Sequence, residues 1–434
     1  MTQAVLGAAV AATLVLTGCS SDGGTGSGSD PTSSYNPKEK VTLHLSWWGN
    51  DARAAIMTKV LGMFEKKYPN ITVVAEPVGA PNDLFNRLST DFASGTAPDV
   101  FALGGSKPQD YGSSGSLLDL STVSTYLPTK DFPTSALRSS TVDGTVYGVP
   151  TGGNAIGLLV NEDLFKKAGV ELPTTKWTWD DLVKAANSIS AKKDGVVGLD
   201  LRVQDILGTY VAQTNKIGIY SDKGKIATKA STIQGWYERE QSLVKGGGLP
   251  DPSVIVQHWN VTPDQTLFGT GKAAMSFAYS NQIGAYTAGL GGAKVEIVTP
   301  PTDTSSTGVS VLPSQFWSIA AGTKHPAQSA LLVNYLVNDT DAAKVILADR
   351  GLPFNNKVLK VVKPLLSPVD AQSAAYLETA LKSGVTSPPQ PAGGAILNDL
   401  SQRTESDILF GKVTAQQGAA NWMKELQQSL NNGG

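Results

Sequence analysis

Histidine, cysteine and paired carboxylates carry much of enzyme and metal chemistry, and this chain uses the first two sparingly. Its 434 residues include 3 His and 1 Cys. His44 lies in an alternating apolar run, His258 precedes Trp259, and His325 precedes Pro326 at a helix start. None stands in an H-x-x-x-H spacing, so no dedicated metal centre is expected. A single Cys makes no disulfide within the chain. No G-x-S-x-G turn presents a nucleophilic serine. Gly79 and Gly104-Gly105-Ser106 follow strand-like runs without a G-x-G-x-x-G pattern. GTGK, Gly269 to Lys272, lacks the rest of a phosphate loop and reads as a turn, with Lys272 on the surface. The 37 Asp and Glu residues show no spacing that marks an acid–base pair. No catalytic residue and no cofactor are expected.

What remains is aromatic residues beside small polar ones at three places: SWWGNDAR (Ser46 to Arg53), LGGSKPQDY (Leu103 to Tyr111) and PTGGN (Pro150 to Asn154). Aromatic faces stack on the C–H faces of a sugar ring, while amides, carboxylates and arginine bond its hydroxyls. The mixture suits a neutral polyol better than a charged metabolite. The structural alternatives are equally concrete. A tryptophan at a strand end is commonly core, and Gly152 and Gly153 serve equally well in a plain turn.

The elements that hold these stretches follow from periodicity. Val41 to Trp48 reads as a strand, and Ala52 to Tyr68 as a helix with Met57, Leu61, Phe64 and Tyr68 on one face and Asn50 or Asp51 at its N-cap. Ile71 to Val78 and Pro98 to Leu103 are strands flanking a helix, Asn82 to Gly95, closed by glycine. Strand–helix alternation gives right-handed βαβ units on a parallel sheet, where ligands bind beyond the carboxyl ends of the strands. TWDD, Thr178 to Asp181, reads as a capping box opening a helix through Ile189. TPDQ, Thr262 to Gln265, repeats that grammar. Ile156 to Asn161 and Ala273 to Tyr279 are further strands. Pro326 to Val337, Thr340 to Asp349 and Ala415 to Leu430 are helices, and Asp99 reads as a loop-holding carboxylate. The length argues for two domains, and the 45 Gly and 24 Pro for many turns. A net charge of -2 gives no reason to expect nucleic acid as a partner.

The apolar run Ala4 to Thr17, followed by LTGC (Leu16 to Cys19), resembles a bacterial signal peptide with a lipobox. That resemblance implies cleavage before Cys19, lipidation of Cys19 and anchoring on the outer face of the cytoplasmic membrane. The segment before the run, Met1 to Gln3, lacks the usual Lys or Arg, so the start is expected upstream or shortened. Residues 20–34, rich in Gly and Ser, read as a flexible tether.

Several stretches together resemble the extracellular solute-binding proteins of ABC importers, the maltose-binding-protein-like branch. They are FEKKYPNITV (Phe64 to Val73), FASGTAPDVF (Phe92 to Phe101), GSLLDLS (Gly115 to Ser121), DGTVYGVP (Asp143 to Pro150), GLLVNEDLFKKAGVELPTTKWTWDDLVKAA (Gly157 to Ala186), FGTGKAAMSFAYSNQ (Phe268 to Gln282) and RGLPFNNKV (Arg350 to Val358). The resemblance implies an α/β, two-lobed periplasmic-binding-protein-like fold with an interlobe cleft and hinge crossings near Val149–Thr151, Val311–Ser314 and Leu352–Asn355. It divides the chain into residues 1–18 (signal peptide), 19–37 (tether), 38–150 with 314–352 (first lobe) and 151–313 with 353–434 (second lobe). The implied function is capture of a mono- or oligosaccharide by a monomer that closes on it and delivers it to permease subunits. A non-sugar solute (polyamine, phosphate ester or peptide) and a secreted carbohydrate-active enzyme are the alternatives.

The same resemblance nominates ligand contacts: Trp48, Asn50, Asp51 and Arg53 in the first loop, and Ser106 and Gln109 in the loop after the Pro-Asp strand. Asn154 lies past the first crossing, and Trp259, Tyr279 and Asn281 belong to the second lobe. Gln315, Phe316 and Trp317 follow the second crossing. Asp51 and Arg53 have a competing role as a local ion pair or helix-start charges. Asn281 stands where many members carry a stacking Trp. Strand parity puts Trp47 in the core with Val41, Leu43 and Leu45, and turns Trp48 toward the cleft.

Overall fold

The computed structural model describes residues 34–432 apart from 106, 386 and 392; Cys19, the expected leader segment and Ser106 lie outside the described residues. The first strand, β1 (Val41–Trp48), buries Val41, Leu43, Leu45 and Trp47 as parity requires. Helix α1 (Asp51–Lys67) follows, with Met57, Val60, Leu61 and Phe64 buried. Then come β2 (Ile71–Val78), α2 (Pro81–Ser94), β3 (Val100–Leu103) and α3 (Lys107–Ser113). Gly95 takes the left-handed conformation that ends α2. β1 runs parallel to both β2 and β3. Asp99 holds this corner: its carboxylate accepts from the His44 backbone N–H at 2.9 Å and from the Thr323 hydroxyl at 2.5 Å.

The chain continues through α4 (Thr134–Arg138) and a small hairpin, β4 (Thr141–Val142) and β5 (Thr145–Val146), into β6 (Val149–Asn161). Next are α5 (Glu162–Ala168), α6 (Trp179–Ser190), β7 (Val197–Asp200), α7 (Val203–Asn215), α8 (Ala230–Gly246), α9 (Pro252–His258), β8 (Ala273–Tyr279), α10 (Ile283–Thr287) and β9 (Val295–Val298). β10 (Val311–Ile319), α11 (Pro326–Asn338), α12 (Thr340–Ile346), α13 (Asn356–Val362), α14 (Pro368–Ser383), α15 (Leu397–Leu409) and α16 (Ala415–Asn432) complete it. The capping box expected at TWDD forms: the Thr178 hydroxyl accepts from the Asp181 N–H, and the Asp181 carboxylate accepts from the Thr178 N–H.

One strand joins the apolar cores of both lobes. β6 is 13 residues long. Its first half pairs antiparallel with β10, which in turn pairs with β3; its second half pairs with β8 and β9. The path β2-β1-β3-β10-β6-β8-β7 therefore runs through both lobes. One apolar core gathers Leu43, Trp47, Phe64, Phe101, Trp317 and Leu332. A second gathers Leu158, Trp179, Ile206, Trp236, Phe277 and Trp422, and a third Leu159, Phe268, Tyr286 and Tyr376. Where the lobes meet, Gly153 exchanges backbone hydrogen bonds with Leu352 at 2.8 and 3.2 Å. A Cβ on Gly152 would sit 2.4 Å from the Gly351 carbonyl carbon, and Gly351 itself lies at φ +83°. PTGGN is thus a close-packed strand rather than a turn, and its glycines admit the returning chain.

Three expectations differ from the structure. TPDQ forms only a single 3-10 turn, Pro263–Gln265, without a side-chain cap. The Thr266 hydroxyl accepts from the Gly269 N–H, and the Phe268 N–H turns to the buried Asp200 carboxylate at 3.0 Å, which curls the backbone away from a helix. The helix expected to reach Asp349 ends at Ile346, where Leu347 adopts φ +50°. Beyond Leu352, where the sequence places the return to the second lobe, α13 still packs with α12: Val358 and Val362 meet Ala343, and Asn355 Nδ2 donates to Asn338 Oδ1 at 2.6 Å.

Candidate functional site

Between the lobes lies a cleft of about 1320 Å³, open solvent included, bordered by Gly105 and Ser139 from the first lobe. Gln204, Asp205 and Tyr279 border it from the second lobe, Leu312 and Phe316 from β10, and Asn398 and Ser401 from α15. It sits beyond the carboxyl ends of β7 and β8, where an open α/β sheet places its ligands.

On the first-lobe side, Trp48 is partly buried at the end of β1, edge-on to Phe85 with ring centroids 5.6 Å apart. A Cβ on Gly104 would lie 3.3 Å from the Trp48 ring, so that glycine lets the loop after β3 lie on the indole. Trp48 therefore floors the loop that borders the cleft. The polar residues after it have local partners. The Asn50 side chain accepts from the Arg53 N–H at 3.1 Å and caps α1. Asp51 is exposed in the first helical turn, where its charge complements the helix dipole. Arg53 does not pair with Asp51. It reaches Asp349, with Nε at 2.9 Å from the carboxylate and Nη2 at 2.7 Å from the carbonyl. Gly49 permits that path: a Cβ there would stand 2.4 Å from Arg53 Cδ. Gln109 is half-buried on α3 and is not among the cleft-lining residues.

At the crossing, Asn154 Nδ2 donates to Asn281 Oδ1 at 3.2 Å, so the structure brings together two residues nominated from distant stretches. Asn154 is 9% exposed and Asn281 is exposed. Gln315, Phe316 and Trp317 are buried instead, because β10 is a central strand packed between β3 and β6. The Gln315 amide oxygen accepts from Arg350 Nη1 at 2.6 Å, and the Arg350 guanidinium stands 4.7 Å over the Trp317 ring. Burial, followed by the charge of Arg53, pulls Arg350 down to about 9, which still leaves it charged at neutral pH. Of the three, Phe316 reaches the cleft; Gln315 and Trp317 serve Arg350.

The second-lobe wall holds groups that the sequence reading passed over. Arg202 and Asp205 flank the start of α7, with Nη2 and Oδ2 2.7 Å apart and both side chains about 10% exposed (10% and 11%). Arg202 also donates to the Tyr286 hydroxyl and lies against that ring. Burial pushes the Asp205 carboxyl up to about 6, against the opposing pull of Arg202, and burial also raises Asp200 behind it. Gln204 Nε2 donates to the Trp259 carbonyl at 3.2 Å, while its Oε1 is buried with no protein partner. Burial raises the Tyr279 phenol, and the Asp205 charge adds to the rise. Trp259 packs on the second core with its indole beside the Glu405 carboxyl and is not a cleft-lining residue. The signal was available in GLDLRVQDIL: two acids and an arginine inside an apolar strand-to-helix junction, the same strand-end rule that singled out SWWGNDAR.

This geometry can hold an uncharged, hydroxyl-rich ligand between an aromatic-floored loop and a wall of amide, carboxylate and phenol. Residues 48–343 match the family described as bacterial extracellular solute-binding protein. An ABC transporter extracellular-binding protein of Pyrococcus horikoshii is 31% identical over 188 residues, 43% of this chain and 42% of that protein. A putative binding protein of Brucella abortus is 27% identical over 359 residues, covering 80% of this chain and 83% of its own. Among solved structures, a periplasmic oligogalacturonide-binding protein of Yersinia enterocolitica, in complex with saturated digalacturonic acid, superposes with a TM-score of 0.78. It is 25% identical and covers 91% of this chain and 100% of its own.

Proposed function

The chain belongs to the bacterial extracellular solute-binding proteins, and from that premise we propose that it captures a carbohydrate in its interlobe cleft for an ABC importer. The observation that carries this reading is the cleft wall: Gln204, Asp205, Tyr279 and Asn398 offer amide, carboxylate and phenol groups around an apolar seat of Leu312 and Phe316. Sugars present that combination in reverse, with hydroxyl rims around C–H faces. The name of the Yersinia relative supports a saccharide ligand.

The lobes close on the ligand by bending where β6, β10 and the Leu352 segment run side by side. Ligand contacts to both walls favour the closed form. The first lobe comprises residues 38–150 and 314–352 together with α13, which packs on α12, and the second comprises residues 151–313 and the chain from α14 onward, with Asn154 and Asn281 meeting at their boundary. Cys19 carries the lipid that keeps the protein at the outer face of the cytoplasmic membrane, and the monomer delivers its sugar to the permease subunits.

A thermal-shift screen over mono-, di- and oligosaccharides tests the reading, because a ligand that binds only the folded state raises the melting temperature. At least one sugar is expected to raise it by several degrees. No shift with any sugar, together with a shift from a polyamine, phosphate ester or peptide, would replace carbohydrate by that class.

A further inference from the structure

The cleft lining is uneven in charge. Among its described lining residues, Asp205 is the only one carrying a carboxylate, lysine, arginine or histidine. The nearest cation, Arg202, is committed behind the wall to Asp205 and to the Tyr286 hydroxyl. A ligand carboxylate entering here finds no free cation in the described lining and meets a buried carboxylate of its own sign. Burying such a charge unpaired is far costlier than burying a hydroxyl that can donate to Asp205. Gln204 Oε1, buried and without a protein partner, adds a second acceptor on the same turn of α7. Both acceptors call for donors, which a sugar hydroxyl supplies and a carboxylate does not.

We propose that Asp205 sets the ligand class of this cleft, admitting uncharged oligosaccharides and rejecting the corresponding uronates. This rests on the carbohydrate reading above and narrows it. The proposal is one of negative selection, in which a built-in repulsive group does the sorting. It also gives selection a pH dependence. The groups facing Asp205 are Arg202, Asp200, Tyr279 and Tyr286. Because burial raises the Asp205 carboxyl to about 6, lowering the pH through that value removes its charge, while a uronate with an ordinary carboxyl stays ionised.

The test is calorimetric titration with matched pairs: gluco-, galacto- and manno-configured disaccharides, each beside its uronate. At pH 7.5 the neutral member of the pair that binds is expected to be about 100-fold tighter, a size typical of a buried like-charge penalty. At pH 5 the ratio falls by about tenfold as Asp205 takes up its proton. Asp205→Asn narrows the ratio similarly at pH 7.5, and Asp205→Glu, which keeps the charge, restores it. A uronate that binds as tightly as its neutral partner overturns the charge rule and leaves the carbohydrate reading standing. A ratio unmoved by both pH 5 and Asp205→Asn overturns the role of Asp205. Binding by no sugar overturns the carbohydrate reading itself, and the charge rule with it.

Discussion

The two walls of the cleft are built from similar residue types and use them differently. On the first lobe, the polar residues that follow Trp48 serve the fold: Asn50 caps α1, and Arg53 ties the end of β1 to Asp349. On the second lobe, the polar residues that open α7 keep free capacity: Gln204 has an unused buried oxygen, and Asp205 lines the cleft. Helix N-termini and ligand sites favour the same short polar side chains, because both require acceptors for N–H or O–H groups. Residue type at a strand end therefore does not say which job is done; the partner does.

Arg53→Ala breaks the first wall hardest. It strands Asp349 in a half-buried position and is expected to cost about 2–3 kcal/mol of stability, somewhat less than a fully buried pair because both side chains keep about a fifth of their exposure. Denaturant unfolding measures the loss, and sugar affinity of the folded protein should stay within about twofold. If affinity falls instead while stability holds, the first wall is a ligand wall and the contrast is wrong.

The second lobe also keeps unsettled polarity deeper, beneath the wall helix α15. Glu240 and Glu405 are 1% and 0% exposed, and Trp259 is the polar neighbour beside Glu405. Burial pushes the Glu240 carboxyl up to about 7 and Glu405 well upward. A raised carboxyl binds its proton more tightly folded than unfolded, so this contribution to stability is complete below about pH 4.5 and is lost as pH rises through about 7. Glu240→Gln removes the titration and is expected to raise stability at pH 8 by about 2 kcal/mol relative to its effect at pH 5. Melting temperatures across that range read it out, and a pH-independent effect of the substitution would show that the pair does not titrate.

Gln204→Ala sharpens the contrast from the other side. It is expected to lower sugar affinity by about 1–2 kcal/mol, the size of one hydrogen bond to a buried group, with little change in melting temperature. A smaller effect belongs to an ion pair across the lobes, Arg138 of the first with Asp222 of the second, next in sequence to the cleft-lining Ser139 and near Tyr220. Both side chains are well exposed, at 38% and 67%, so a double-mutant cycle on affinity should give a coupling of about 0.5 kcal/mol that fades with salt. A coupling that ignores salt would mean that the two residues act through packing.

Much of the frame was legible because it rests on periodicity. The alternation of β1 placed Trp47 in the core, and the Thr178–Asp181 capping box formed as written. Asn154 and Asn281 came together from stretches 127 residues apart. Several misreadings share a cause: they depended on a partner remote in the chain. Trp317 is core because β10 lies between two other strands, and Arg53 is occupied because Asp349 lies 296 residues downstream. TPDQ failed as a helix because Asp200 claims the next backbone N–H. Asp205 was missed because its pairing with Arg202 makes a local ion pair at helix spacing, which on its own looks like ordinary helix-end charge.

The most direct test of the contrast is amide hydrogen exchange with and without a saturating neutral oligosaccharide that binds. Strong added protection over residues 203–208 and 279–282, with the amides of 51–54 unchanged, is the predicted result. Added protection centred on 51–54, with 203–208 unchanged, would contradict it and return the ligand to the first-lobe wall.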